Sequence, residues 1–492
     1  MVGKVKVIER LAFRERFRSR LRMFWNGCFL HRLRFFQTQA HERSRNDGKA
    51  TNRRIEFYSL FRKNSQLRLK EKIASLSNPI VLAAIICAVF LYSGLAHIKE
   101  SRNFASLFKA EDIVEIAGKV VSNPVKDMEK NTYSFEFLPT QCVTRKRASS
   151  TCRGCVRAIV PAAVVEAFFP GKLYSVAKTA SKNGGILCEN GANLLLRGKF
   201  AMENELFISK SAESLGWDAG VFGRLAYFRA LSRLQFRRLM YFWGEAGGLF
   251  LALLSGIKDY TDKNLSDAFR KAGLSHILAL SGMHLSLFSA LSKKISTKLA
   301  GDKISSIFQL ASVCIFVWFA GFSPSLFRAF LCSVIFLIAK TVNYKRIKMI
   351  YVLALSFLIH TVFFPYDVFS VAFKLSYGAL VGILLFGEFF TSLFSPFIPI
   401  CISSPLGASA GANCFTAPIS ARLFRIVTPI GIVSSVVVSP LITVFIYAGL
   451  FLIFFSLCFP FFAPMASFFM KMLYSIIERL VLFFSKCPAI QF

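Results

Sequence analysis

The chain has 492 residues, of which 54% are hydrophobic and 55 are phenylalanine, and its formal net charge is +34. This composition excludes an ordinary soluble globular domain, which is less apolar and closer to neutral. It is typical of a membrane protein with basic segments outside the bilayer, and the basicity favours anionic partners such as lipid headgroups or nucleic acid.

The N-terminal segment, residues 1–77, is rich in arginine and poor in acidic residues. The first long apolar run, residues 80–96, is about the minimum length for a transmembrane helix. Because basic segments stay on the cytoplasmic side, we predict a cytoplasmic segment 1–77, a first transmembrane helix in 78–98 and export of the domain after that helix. A non-functional extension from a mis-assigned start codon is the alternative for 1–77.

Residues 103–214 change to short alternating runs such as "IVEIAGKVV", "TYSFEF" and "NLLLRGKF", separated by turn-forming residues. Alternation with period two predicts strands, and their number and spacing predict a small all-β barrel or sandwich, with an OB-fold as the natural candidate. The predicted fold class is therefore a polytopic α-helical membrane protein with an inserted all-β, OB-like extracytoplasmic domain.

Four cysteines fall in this β domain. They are Cys142, Cys152, Cys155 and Cys188. In an oxidising compartment all four are disulfide candidates, and four cysteines allow three full pairings, which stay open. A zinc site is the alternative, because Cys152 and Cys155 have CxxC spacing, but a second CxxC is missing.

A basic stretch lies between Cys142 and Arg157. We predict that five residues contact the phosphates of DNA: Arg145, Lys146, Arg147, Arg153 and Arg157. The alternative is that they belong to a solvated loop without a partner. The aromatic residues of the neighbouring strand, Tyr133, Phe135 and Phe137, alternate on one face. They suit base stacking, but the core face of a barrel is the favoured interpretation.

Residues 215–243 mix aromatic residues with five arginines, which predicts an amphipathic helix along the membrane surface. From residue 244 to 492 apolar segments dominate, several broken by glycine or proline, and we predict a multi-helix transmembrane domain.

The segment "GLSHILALSGMHLSL", residues 273–287, places His276, Ser281, Gly282 and His284 in an apolar run. On one continuous helix the two histidines and the serine would share a face. That face would either line an aqueous path or form hydrogen bonds between helices, with Gly282 allowing close approach.

This segment resembles the central signature of the ComEC competence protein family. Three later blocks are similar to family segments in the expected order: "SPSLFRAF" (323–330), "FPYDVFSVAFKLSYGALVGI" (364–383) and "PIGIVSSVVVSPLI" (429–442). Family members are inner-membrane proteins that admit single-stranded DNA during natural transformation, and they carry an exported OB-like domain. The resemblance implies a set of channel-lining or motif residues: His276, Ser281, Gly282, His284, Arg328, Lys374 and Ser376.

There are two departures from the family pattern. Lys374 stands where the family has glutamine, and Ser434 or Ser435 stands where an asparagine is common. Arg328 and Lys374 are charges within apolar segments, where each needs a partner or water. They suit phosphate contacts; the alternative is an interhelical ion pair, for instance with Asp367 or Glu388.

Many members also carry a metallo-β-lactamase-like domain, but these 492 residues include no HxHxDH cluster and no P-loop. The sequence therefore predicts the short, channel-only form: not an enzyme, with no cofactor and no metal, in the bacterial inner membrane as a multi-pass protein. Expected partners are single-stranded DNA, the bilayer, a DNA receptor, a cytosolic helicase and further copies of the chain.

Two other classes of function stay open. Ser281 near His284 suits an intramembrane serine hydrolase, which needs the two side chains within hydrogen-bond reach and an oxyanion hole. The intramembrane charges suit a secondary transporter of small anions.

Overall fold

The computed structural model describes residues 75–93, 104–127, 129–165, 186–201, 206–258, 260–342 and 348–491. The chain divides into two units, Met1–Leu76 and Ser77–Phe492, and every element named below lies in the second. The predicted basic segment 1–77 falls almost entirely outside the described residues.

The first described helix, α1, spans Pro79–Tyr92. Asn78 caps it by accepting a hydrogen bond from the Ile80 amide at 3.0 Å, and Pro79 at the first helical position needs no such acceptor. At 14 residues α1 is shorter than the predicted helix 78–98, of which residues 94–98 lie outside the described part.

Eight strands form one sheet in the predicted β domain. They are β1 Ala105–Ser106, β2 Ile113–Val120, β3 Val125–Asp127, β4 Thr132–Thr144, β5 Ser149–Arg153, β6 Val156–Pro161, β7 Ala192–Ala201 and β8 Leu206–Trp217. Five of them close into a ring in the order β4-β2-β7-β8-β6 and back to β4. All neighbours in the ring are antiparallel except β6 and β8, which run parallel.

The barrel is filled by inward side chains of these strands. Tyr133, Phe135 and Phe137 of β4 are 2%, 3% and 0% exposed, beside Ile116 and Leu196. The aromatic stripe is therefore the core face, as the sequence favoured, and base stacking by these rings is ruled out.

Helices make up most of the remaining chain. They are α2 Ala162–Val165, α3 Val221–Tyr241, α4 Glu245–Ser255, α5 Lys263–Lys271, α6 Ser275–Leu278, α7 Gly282–Ala320, α8 Pro324–Thr341, α9 Met349–Phe363, α10 Val371–Gly382, α11 Glu388–Phe394, α12 Ile400–Phe424, α13 Gly431–Cys458 and α14 Ala463–Ser485. Short 3₁₀ turns cover Ala110–Asp112, Pro365–Phe369 and Pro460–Phe462, and a π-helical turn, Ile383–Gly387, joins α10 to α11. Strands β9 Ile426–Val427 and β10 Ile490–Gln491 form a separate antiparallel pair.

Helix α7 is a hairpin. Gly301 has φ 75° and ψ 173°, which reverses the chain there. The two arms are joined by Ser296 Oγ donating to Ser305 Oγ at 3.0 Å and by Gln309 Nε2 donating to Ser289 Oγ at 2.6 Å.

The helical core centres on α4, whose Leu249, Phe250 and Leu253 are fully buried. A Cβ at Gly449 of α13 would lie 2.2 Å from the Phe250 ring, so glycine is required where these helices meet. Among the described residues, two helical stretches are long and apolar enough to cross a membrane, Val371–Phe394 and Gly431–Cys458. The helices Pro79–Tyr92, Ile304–Ala320 and Met349–Phe363 are apolar but shorter.

Candidate functional site at a broken helix

The signature segment is not one continuous helix. Helix α6 ends at Leu278, and Ser281 has extended backbone angles, φ −129° and ψ 169°, before α7 starts at Gly282. The prediction that His276, Ser281 and His284 share one helical face is therefore wrong. The polar residues lie where the helix is interrupted, because Ser281 is a helix cap.

Ser281 and His284 form the cap of α7 together. The Ser281 amide donates to His284 Nδ1 at 3.2 Å, and Ser281 Oγ lies 3.3 Å from the same nitrogen. This is the geometry of a capping box, in which the third helical residue reaches back to the cap. His284 is fully buried, and its Nε2 finds no hydrogen-bond partner among the described residues.

Capping also explains the contact that suggested a serine hydrolase. The one acceptor lone pair of His284 Nδ1 already receives the Ser281 amide, so it is poorly placed to take the hydroxyl proton. No carboxylate in the described part of the chain bonds the other ring nitrogen to orient it. The geometry favours a structural role for this pair over a nucleophile and base.

Arg328 of α8 lies against the first residue of α7. A Cβ at Gly282 would be 2.8 Å from Arg328 Nη2, so any larger residue would push the guanidinium away. Arg328 Nη1 donates to the Ser376 carbonyl of α10 at 2.8 Å. Three of the predicted site residues, Gly282, Arg328 and Ser376, are thus brought together from three helices.

This arrangement is suited to an anion. The first amides of a helix lack intrahelical partners and carry the positive end of the helix dipole. Arg328 adds a guanidinium whose Nε is buried without a partner among the described residues. Its contact at Ser376 is a neutral carbonyl and not a carboxylate, so the charge is not cancelled there.

No hydrogen bond in the described part of the chain joins the side chain of His276 or Lys374 to Gly282, Arg328 or Ser376. His276 is an exposed side chain on α6. Lys374 Nζ lies over the Tyr92 ring of α1, 5.5 Å from its centroid, a cation–π contact. Asp367, a proposed partner of Arg328 and Lys374, instead has Oδ2 3.3 Å from His360 Nε2.

Sequence reasoning missed a buried polar group around His360 on α9. Its Nδ1 lies 3.3 Å from the Tyr377 hydroxyl of α10, and its other nitrogen contacts Asp367. A histidine within the apolar run 349–363 is the signal that could have found it, because such residues need partners inside a membrane. The group ties α9 to α10 directly beside the carbonyl that holds Arg328.

The five predicted DNA contacts of the barrel are all exposed but fall in three places. Arg145, Lys146 and Arg147 form the tip of the β4–β5 hairpin, where Arg147 has φ 63°. Arg153 ends β5, and Arg157 lies on β6 opposite Glu136. The basic stretch between Cys142 and Arg157 is therefore divided between a hairpin tip and two strands.

Two of the four candidate cysteines are neighbours in the barrel. Cys142 and Cys152 are buried thiols on β4 and β5, and Cys142 Sγ donates to the Ser150 carbonyl at 3.5 Å. Burial, with the neighbouring Cys142, raises the pKa of Cys152 to about 12. Cys155 is half-buried and Cys188 is buried beside Glu189. The predicted disulfides stay a prediction, and no group of three His, Cys, Asp or Glu residues in the described part is arranged to hold a metal.

Helix α3, within the predicted amphipathic segment 215–243, buries most of its arginines and exposes phenylalanines. Arg229, Arg233, Arg237 and Arg238 are at most 8% exposed, whereas Phe222 and Phe228 are 88% and 60% exposed. Glu189 accepts from Arg233 Nε at 3.2 Å and from Arg237 Nη2 at 3.3 Å. The segment starts later than predicted, because residues 215–217 belong to β8.

The arginines of α3 join the barrel to the helices. Arg233 Nη1 donates to the carbonyls of Ser255, Phe319 and Ala320, at 3.0 to 3.2 Å. Arg229 Nη2 donates to Asn123 Oδ1 of the barrel at 3.0 Å. One ionic cluster therefore holds the barrel against the end of α7.

The residues of the broken helix and Arg328 lie in a part of the chain that is similar to known proteins. Residues 253–492, which contain the broken helix and Arg328, match the model of the competence protein family. The resemblance read from the signature segment is confirmed by this match.

Two curated relatives are similar to parts of the chain. ComE operon protein 3 of Bacillus subtilis is 29% identical over 147 residues, which is 30% of this chain and 19% of that protein. An uncharacterized protein of Aquifex aeolicus is 30% identical over 181 residues, covering 37% of this chain and 40% of that protein. The chain thus matches less than half the length of either relative, and no solved structure matches it.

Proposed function

We propose that this chain is a multi-pass inner-membrane protein that conducts single-stranded DNA during natural transformation. The observation that carries the proposal is the interrupted helix α6–α7, with Arg328 held beside Gly282, where α7 begins. In transporters, the N-termini of interrupted helices point at anionic groups of the substrate. A DNA strand is such a substrate, and the competence family of residues 253–492 supports this choice.

A membrane location is supported by the surface of the helices. Phe451, Phe454 and Phe468 of α13 and α14 are 63%, 68% and 73% exposed. Apolar surface of this extent marks contact with lipid or with a partner. We infer that the basic N-terminal segment is cytoplasmic and the barrel extracytoplasmic, with a DNA receptor and a cytosolic helicase as partners.

We infer that the barrel is OB-like. Numbered along the chain, its ring strands β2, β4, β6, β7 and β8 close in the order 1-2-3-5-4-1, with the third and fifth parallel. OB-folds bind oligonucleotides on the face of their second and third strands. Here those strands are β4 and β6, which carry Arg157 and are linked through the basic hairpin.

A secondary transporter of small anions is the second candidate, because a single guanidinium at a helix N-terminus also suits one small anion. Uptake of labelled inorganic phosphate by vesicles that contain the chain separates the two functions. Phosphate uptake without DNA uptake would favour the small-anion transporter.

Deletion of the gene in a transformable host tests the proposed function. Labelled DNA should still bind the cell surface, whereas DNA that resists added nuclease should fall to background. Complementation by the intact gene is the control. Internalisation at the wild-type rate in the deletion strain, with surface binding unchanged, would refute the proposal.

The hairpin tip offers a second prediction. Changing Arg145, Lys146 and Arg147 together to Gln should weaken binding of single strands by the purified chain. Each lost phosphate contact lowers the slope of log affinity against log salt by about 0.7, so the triple variant should lose up to about 2. The matched control is the exposed lysine pair Lys293 and Lys294 of α7 changed to Gln. An unchanged slope in the triple variant would make the hairpin a merely solvated loop.

A further inference from the structure

A cavity of about 300 Å³ opens where α5 and α14 end. It is lined by Arg270, Lys271, Ile426, Ser485, Cys487 and Ala489. Pairing of β9 with β10 holds the walls together, with Val427 opposite Ile490 and Ile426 opposite Gln491. The volume is at the lower end of the range for small-molecule sites.

The lining is cationic. Arg270 and Lys271 are exposed, and neither side chain forms a hydrogen bond or ion pair with another residue in the described part of the chain. No acidic residue lines the cavity, and Asp267, one turn earlier in α5, is exposed. Cations in the last turn of a helix also stabilise its dipole. Two further cations, Arg425 and Lys486, are the C-cap residues of α12 and α14 and neighbour lining residues on those segments.

The cavity lies on the barrel's side of the helices. Helix α3 leaves the barrel directly after β8 and ends near the start of α14, where Ser467 Oγ donates to the Phe242 carbonyl at 3.4 Å. Helix α14 returns and ends at the cavity. Helix α5 starts at an ion pair between Lys263 and Glu129 of the barrel, and it ends at the cavity too.

The cavity also lies next to the broken helix. Lys271 shortly precedes Gly273, which packs against Gly431, and α6 with the exposed His276 comes next. An anion bound at Arg270 and Lys271 is therefore one short helix away from the restart at Gly282. The order along this side is barrel, cavity, α6 and Arg328.

Resting on the proposed function, we propose that this cavity binds the phosphodiester backbone of a single strand between the barrel and the broken helix. The ligand class is a chain of phosphodiesters, held by the side chains of Arg270 and Lys271. Two phosphate contacts are expected, one for each cation. The phosphate of an anionic lipid headgroup has the same chemistry. A DNA strand is favoured because the cavity lies in line with α6 and Arg328, and a single lipid headgroup would not use such a path.

The test uses the full chain in an uncharged detergent, with a short fluorescent oligothymidylate titrated at several salt concentrations. In the double variant Arg270→Gln, Lys271→Gln the slope of log affinity against log salt should fall by about 1.4, because each phosphate contact contributes about 0.7. The double variant Lys293→Gln, Lys294→Gln removes the same charge from α7 and should keep the wild-type slope. A methylphosphonate strand, which lacks the charges, should bind both double variants and the wild type equally weakly.

Three outcomes overturn the proposal. The first is an unchanged slope in the Arg270, Lys271 variant. The second is an equal loss in the Lys293, Lys294 variant, which would show a general effect of charge. The third is a defect confined to binding of phosphatidylglycerol vesicles, which would assign the cavity to lipid.

A second variant guards against misfolding of the first. Ser485→Trp fills the cavity and keeps its charges, and it should weaken oligothymidylate binding several-fold at an unchanged thermal midpoint. Wild-type affinity in this variant would contradict the proposal. The proposed function fails separately: a deletion strain that internalises DNA normally refutes transport but leaves the binding measurement untouched.

Discussion

Arg328→Gln should lower internalisation of labelled DNA by about 10- to 100-fold while surface binding is unchanged. A hydrogen bond to a charged group contributes about 1.5 to 3 kcal/mol, and each 1.4 kcal/mol is a factor of ten. Glutamine is neutral, so the positive charge at the start of α7 is lost although its amide can still reach the Ser376 carbonyl. The measurement is nuclease-resistant DNA per cell, with the amount of the chain in the membrane determined in parallel.

Two further variants make this test specific. Arg328→Lys keeps the charge but loses the planar fork, so an intermediate loss is expected. Arg224→Gln removes an exposed arginine from α3 and should leave internalisation unchanged. Wild-type internalisation by Arg328→Gln at a normal amount of protein would remove Arg328 from the transport path.

Among the variants described, Glu189→Gln should produce the largest decrease in the free energy of unfolding. Glu189 is 3% exposed and is bonded by two buried arginines, Arg233 and Arg237. Breaking a buried ion pair on one side costs about 3 to 5 kcal/mol, because the remaining charge stays buried. The thermal midpoint of the chain in detergent should fall by several degrees, with the barrel released from the helices first.

The matched control is an exposed carboxylate on the same barrel. Glu213 lies 2.9 Å from Arg197, and both side chains are about half exposed. Glu213→Gln should cost less than about 1 kcal/mol, since water replaces the lost partner. Equal midpoints for the two variants would show that Glu189 is not the residue that anchors α3.

The sequence predicts the barrel well and the helical site only in part. The alternation of apolar and polar residues placed Phe135 and Phe137 in the core, because alternate side chains of a half-buried strand point to the same face. Arg328 and Gly282 were selected from the family resemblance, and no local pattern indicates that they touch, since they are on different helices. Their approach depends on packing between distant segments.

Two features of the helical part could not be read from local sequence patterns. Ser281 and the residues around it follow an apolar helical pattern, and the break is encoded by the capping pair Ser281 and His284. On α3, aromatic residues and arginines alternate as in any amphipathic helix, and periodicity cannot tell which face is inside. The partner that decides it, Glu189, is distant in sequence and buried in the barrel.

The ionic cluster on α3 also constrains the order of events during synthesis. Arg233 depends on the carbonyls of Phe319 and Ala320, which lie 86 and 87 residues later in the chain. At translation rates of about 5 to 20 residues per second, roughly 4 to 17 s pass before those groups leave the ribosome. Glu189 and Asn123 precede α3 and are already made. Helix α3 must therefore pack first against the completed barrel, with its guanidinium groups partly hydrated. The cluster is completed only when the second arm of α7, which contains Phe319 and Ala320, has been synthesised.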